Sequence, residues 1–252
     1  MRRRSHWREA VVICLLVGLA GTVTAAPVYW TDWTVADEGS PDTASGTAIV
    51  PGLGAVGVTF TGNFYASVTN IDNAAAINYW TGGSTAAGTY ADGVIVDNGP
   101  VLPDVIALAS SGTFTLTFSQ PVTDPVMAVV SLGNRGLAAE SQFDLPFNVV
   151  AHGAGYFGSG LFSEQAGNTL YGKEGNGTIK FIGTSILGIE WTIAPNESEI
   201  WYGFTVGIPG QGTGPGPGPG PGPGPTIPLP GTLLLASLGT AFVGYLHRRR
   251  TL

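Results

Sequence analysis

The chain has 252 residues, 17 acidic against 10 basic, for a formal charge of −7. Seven of the basic residues lie near the two ends, so residues 26–209 hold 16 acids against Arg135, Lys173 and Lys180, a formal charge of −13. A body this acidic argues against nucleic acid, whose phosphates need a basic surface, and against direct docking on anionic lipid.

Residues 1–25 have the layout of a secretory signal peptide: Arg2, Arg3, Arg4 and Arg8, then the apolar stretch 10–23, then Thr24-Ala25-Ala26. Proline obstructs cleavage when it follows the cut. With Pro27 after Ala26, the expected cut falls between Ala25 and Ala26, and Val23 stands at the minus-three position. The one cysteine, Cys14, leaves with the signal peptide. The mature protein therefore has no disulfide, thiol nucleophile or cysteine metal site, and its fold must hold by its core.

Residues 26–209 read as one all-β domain. Val56, Val58 and Phe60 alternate with small or polar residues, and so do Phe114, Leu116 and Phe118, which places each set on one face of a strand. Val126–Leu132 is almost continuously apolar, as for a strand covered on both faces. Ile179 and Phe181 flank an outward Lys180. Leu187, Ile189, Trp191 and Ile193 form a further face, and Tyr202, Phe204, Val206 and Ile208 the last. Turns are expected at Pro51-Gly52, Asn98-Gly99-Pro100, Gly133-Asn134 and Gly175-Asn176-Gly177. The nearest thing to an amphipathic helix is Ala74–Ile77, a turn or two at most. The expected architecture is an antiparallel β-sandwich, jelly-roll-like.

Residues 210–226 form a Gly-Pro linker. The alternation from Gly212 to Pro225 has period two, which excludes collagen, and proline blocks helix and sheet. Its extended length is about 43 Å at about 3.1 Å per residue, that of a stalk.

Residues 227–252 combine Ile227-Pro228-Leu229-Pro230, an uncharged stretch to Leu246, and Arg248-Arg249-Arg250. The stretch from Leu229 to Leu246 spans about 27 Å as a helix, close to the thickness of a hydrocarbon core. The arginines are expected to stay cytoplasmic, with the rest of the chain outside. An ordinary single-pass anchor is one reading of this tail. The three-part pattern also resembles the PEP-CTERM sorting signal handled by exosortase-type membrane proteases, in its V-P-L-P-A variant. Here Ile227 replaces Val, Gly231 replaces Ala, and Leu229 stands where Glu is usual. Leu229-Pro230-Gly231-Thr232 matches the start of an L-P-x-T-G wall anchor as well, but Leu233 occupies the fifth position. The PEP-CTERM resemblance implies that Pro228, Leu229 and Pro230 are recognised by an exosortase-like protease. It implies that Arg248, Arg249 and Arg250 are the membrane stop. The segments 118–126 and 200–208 are similar to ectodomains bearing such tails, a class associated with extracellular polysaccharide and biofilm matrix and with no assigned activity.

Within the body the candidate chemistry is sparse. His152 is the single histidine, and no serine sits in a nucleophile elbow. Glu190 precedes Trp191, as acids and aromatics do in sugar sites, yet alternation puts the two on opposite faces. Asp37, Glu38 and Asp42 cluster in one loop and Asp92, Asp97 and Asp104 in another. Each cluster could give calcium its oxygen ligands or simply solvate a turn, and neither has EF-hand spacing. Tyr29, Trp30, Trp33, Tyr65, Tyr79, Trp80, Tyr90, Tyr156, Trp191, Trp201 and Tyr202 divide between the core and a sugar-binding surface. The expectation is an exported, non-enzymatic surface or matrix protein without a cofactor. A carbohydrate-binding module, calcium-assisted or not, is the alternative.

Overall fold

The computed structural model describes residues 27–210 apart from 74, 109 and 195–200. These belong to the first of two units into which the chain divides, Met1–Gly212, and the second, Thr213–Leu252, lies outside them. The signal peptide with its Ala25–Ala26 cut, the linker beyond Gly210, and the tail with Pro228, Leu229, Pro230 and Arg248 to Arg250 all lie outside the described residues.

Those residues form fourteen strands and no helix: β1 (Val28–Trp30), β2 (Asp32–Asp37), β3 (Thr43–Val50), β4 (Gly54–Thr61), β5 (Ile106–Leu108), β6 (Gly112–Val122), β7 (Val126–Leu132), β8 (Ala139–Phe143), β9 (Phe147–His152), β10 (Leu161–Gln165), β11 (Thr169–Lys173), β12 (Gly175–Phe181), β13 (Ile186–Ile193) and β14 (Tyr202–Pro209). One sheet has the order β1-β14-β7-β12-β9, with β5 also paired to β14. The other runs β10-β11-β8-β13-β6-β4-β3-β2. Every pairing is antiparallel.

Alternation is what builds the larger sheet's inner face. Val56, Val58 and Phe60 of β4, and Phe114, Leu116 and Phe118 of β6, are all buried in one cluster with Met127, Val129, Phe204 and Val206 of the other sheet. Trp191 is the hub. Its ring centroid lies 6.1 Å from Phe60, 5.6 Å from Phe114, 5.7 Å from Phe143 and 5.5 Å from Phe204. Its indole N–H donates to the Tyr202 hydroxyl at 2.8 Å, and Ser141 Oγ donates to the same oxygen at 3.2 Å. Trp33 of β2 ties the two sheets in the same way, donating from Nε1 to Thr205 Oγ1 at 3.1 Å. Buried Tyr and Trp need such partners, because an unmet donor in the core is costly.

β7 and β14 are buried along almost their whole lengths. Their outer face is covered by the long segment 62–105 between β4 and β5. Trp80 and Tyr90 from that segment pack on Ala128 and Val130, and Val96 packs on Val28 and Val126. This two-sided cover explains the unbroken apolar run of β7. Within the segment, the Ala76 amide donates to the Asn73 carbonyl at 3.0 Å and closes a single turn, while Ile77 beyond it is irregular and Ala74 lies outside the described residues.

Two expectations are corrected. Leu187 is 55% exposed rather than inward. The β13–β6 register shifts between Ile186 and Gly188, and this bulge turns Ile186 inward in its place. Gly175-Asn176-Gly177 is not a turn but the buried, bulged start of β12.

Tyr90 offers a stability test. Its hydroxyl is buried, finds no hydrogen-bond partner among the described residues, and is pushed to a higher pKa by burial. Tyr90→Phe is expected to stabilise the fold by about 1 kcal/mol, because it removes an unpaired polar group without opening a cavity. Thermal unfolding should then shift upward by about 2–4 °C. A fall in melting temperature would reveal a partner for that hydroxyl.

Candidate binding site

Of the acidic residues weighed as calcium ligands or as turn-solvating groups, Asp92, Asp42 and Asp104 accept backbone amides. Asp92 Oδ1 accepts the amides of Val94, Ile95 and Val96 at 3.0, 2.8 and 2.9 Å. Burial raises its pKa, but these amides more than offset that and leave it lowered. Asp42 Oδ2 accepts the Phe64 amide at 3.0 Å. Asp104 is buried, and its Oδ2 accepts the Trp33 amide at 3.1 Å. Asp37 and Glu38 line a shallow hollow with Phe64 and Ile71, and Asp97 is exposed. Among the described residues no three His, Cys, Asp or Glu are placed to hold a metal ion.

Asp104 gives a pH prediction. Burial raises its pKa above 3.8 and the nearby Asp32 carboxylate adds to this, while the Trp33 and Asp72 amides oppose it. A raised carboxyl contributes stability that is fully present below the unfolded value and lost as pH rises through the folded one. Asp104→Asn keeps an acceptor for Trp33 and removes the titration. The variant's urea midpoint should therefore pull ahead of the wild type as pH rises from 3.8 toward neutrality. A gap that stays constant with pH would contradict this.

The catalytic candidates remain apart. His152 is exposed in an open hollow of about 540 Å³ with Ser163 and Glu164, and among the described residues no hydrogen bond joins it to a serine or carboxylate. Glu190 is exposed and Trp191 is buried, on opposite faces of β13 as alternation required.

Of the aromatic candidates, Trp33, Trp80, Tyr90, Trp191 and Tyr202 are core. Trp30 is half-buried and donates from Nε1 to the Asn98 carbonyl at 3.1 Å. Tyr29 is also half-buried, and Tyr65 is exposed. A different group gathers at the surface. Tyr79, Tyr156, Phe157 and Trp201 form a run of rings with successive centroids 5.0, 4.9 and 5.5 Å apart. Tyr79, Tyr156 and Trp201 are half-buried, and Phe157 is 44% exposed.

Local structure explains how Tyr156 and Phe157 come to stand out. Gly155 and Gly158 exchange both backbone hydrogen bonds, at 2.7 and 3.1 Å, leaving the two aromatics as the tip of a tight turn. Gly158 has φ +134°, a region glycine alone enters readily. A Cβ at Gly155 would overlap the carboxamide of Asn176.

That carboxamide organises the site. Asn176 is fully buried. Its Oδ1 accepts the Ser131 amide at 2.8 Å, and its Nδ2 donates to the carbonyls of Glu174 at 2.9 Å and Gly158 at 3.2 Å. It thus joins β7, the β11–β12 junction and the aromatic turn. Ser131 and Glu174 both have left-handed backbones, φ +60° and +57°, and Ser131 Oγ donates to Glu174 Oε1 at 2.8 Å. Left-handed non-glycine residues each cost about 1–3 kcal/mol and concentrate at ligand clamps. Beside them opens a cavity of about 310 Å³ lined by Ser131, Gly133, Asn134, Phe157, Glu174 and Trp201. That is near the lower end of the range for small-ligand pockets, roughly 300–1,000 Å³. Phe157 and Trp201 meet at 88° to form its aromatic corner.

Sequence reasoning found Tyr79, Tyr156 and Trp201 but not Phe157, Ser131, Glu174 or Asn176. A signal was present in Gly155-Tyr156-Phe157-Gly158, since two large aromatics between glycines are out of place in a turn that merely reverses the chain. No protein family, curated protein or solved structure matches this chain.

Proposed function

We propose that this is an exported, non-enzymatic cell-surface or extracellular-matrix protein that associates with extracellular polysaccharide. The all-β unit is read as a jelly-roll-like sandwich, which accords with successive strands β6, β7, β8 and β9 falling in alternate sheets. The Gly-Pro run is its stalk. The tail holds it briefly in the membrane, where an exosortase-like protease acts at Pro228-Leu229-Pro230 while Arg248–Arg250 stop transfer. The observation that carries the polysaccharide assignment is the surface run of four rings, because sugars present apolar C–H faces to aromatic planes. Delivery is tested by fractionating host cells and mapping the mature C-terminus by mass spectrometry. An end near Pro228–Pro230 with the arginines gone is expected, and an intact tail in the membrane fraction would overturn the sorting assignment.

The cavity beside Phe157 favours a second reading, a carbohydrate-binding module in the same setting. A glycan array with and without chelator separates the two. A purely structural protein gives no saturable ligand, a module gives one, and chelator sensitivity would identify calcium as an assistant.

A further inference from the structure

We infer that the corner between Phe157 and Trp201 is a binding site for one neutral pyranose unit of a polysaccharide. Glu174 takes its hydroxyls, and the Tyr156–Tyr79 rings extend the contact to the neighbouring unit. The inference rests on the module reading.

Three features point to a ligand. The first is the form of the cavity, two rings at right angles over a polar floor, which suits a molecule with an apolar face and a polar rim. The second is the floor itself. Glu174 is only 7% exposed, and Oε1 is held by Ser131, so the carboxylate is fixed before any ligand arrives. A fixed acceptor binds hydroxyls without the entropy cost of ordering it. The third is strain. Ser131 and Glu174 are held in left-handed conformations at the β7–β12 register shift, tied to each other by the Ser131 Oγ–Glu174 Oε1 bond and to Asn176 by the Ser131 amide and the Glu174 carbonyl. Observed strain at a cavity wall is grounds for a functional hypothesis.

Charge narrows the ligand class. Two aromatic walls and a carboxylate could also cage a quaternary ammonium. Here the exposed Arg135 guanidinium lies against Gly158, the neighbour of Phe157, within 3.0 Å of where a Cβ would stand. A cation at the rim disfavours a cationic ligand, while the body's charge of −13 disfavours a polyanion. A neutral sugar satisfies both.

The test uses the full chain in detergent. Binding of neutral oligosaccharides built from glucose, galactose and mannose, of the host's own extracellular polysaccharide, and of tetramethylammonium is followed by calorimetry and tryptophan fluorescence. Phe157→Ala removes an exposed ring and leaves the core intact. Glu174→Gln keeps the acceptor for Ser131 and removes the charge. His152→Ala, in the other hollow, is the control. Saturable binding of a neutral saccharide is expected, weakened about tenfold or more by Phe157→Ala and severalfold by Glu174→Gln, and unchanged by His152→Ala. Saccharide binding that survives Phe157→Ala would move the site elsewhere and leave the module reading standing. An absence of saturable saccharide binding would remove both. Tetramethylammonium in place of sugar would overturn the ligand class.

Discussion

Asn176→Asp is expected to destabilise the protein by about 3–5 kcal/mol at neutral pH, the cost of leaving a buried charge unpaired. The substitution changes no volume, so packing is not the cause. It removes both donors of a fully buried carboxamide and aims a carboxylate oxygen at the carbonyls of Glu174 and Gly158. Urea unfolding followed by tryptophan fluorescence reads the loss directly. The deficit should shrink in acid, because a protonated Asp regains one donor. The three walls of the cavity lose their common tie, so the saccharide binding proposed for it should fail before global unfolding does. A loss below about 1 kcal/mol would mean that the strained backbones of Ser131 and Glu174 hold without Asn176.

Trp191→Ala is expected to cost about 3–5 kcal/mol, as for other large aromatics emptied from a core. Four rings lose their shared neighbour, and Tyr202 loses its indole donor. The hydrogen bond is separable from the packing by a double-mutant cycle. Tyr202→Phe alone strands the indole N–H and should cost about 1–3 kcal/mol. The same change in a Trp191→Phe background should cost clearly less, since no indole remains to be stranded. Equal costs in both backgrounds would show that the indole–hydroxyl bond contributes nothing.

The strands that were legible were those whose inner and outer faces differ. Phe114-Leu116-Phe118 and Val56-Val58-Phe60 alternate because one side meets the core and the other meets water. β7 was legible for the opposite reason, since Trp80 and Val96 close over its second face. The period failed where the backbone breaks it. A bulge exchanges Ile186 for Leu187 on the inner face, and the glycines around Asn176 serve close approach of strands rather than chain reversal. The candidate site was illegible for a further reason. Its rings come from positions 79, 156, 157 and 201, and its floor from 131 and 174. Only the strand order brings these together. Single residues such as Trp201 could be suspected from the sequence, but their convergence could not.

β14 begins at Tyr202, immediately after Trp201 of the aromatic corner, and ends at Pro209, where the sequence passes into the Gly-Pro run. Along the way it is bonded to β7 on one side and to β5 and β1 on the other. If a ligand is held at the corner while the chain is held beyond Pro209, the tension between them is carried lengthwise by this one strand. Its ladders would be loaded in shear, all sharing the force at once, rather than peeled apart pair by pair. Under such a load the strand would hold by its hydrogen-bond ladders alone, without any disulfide to reinforce it.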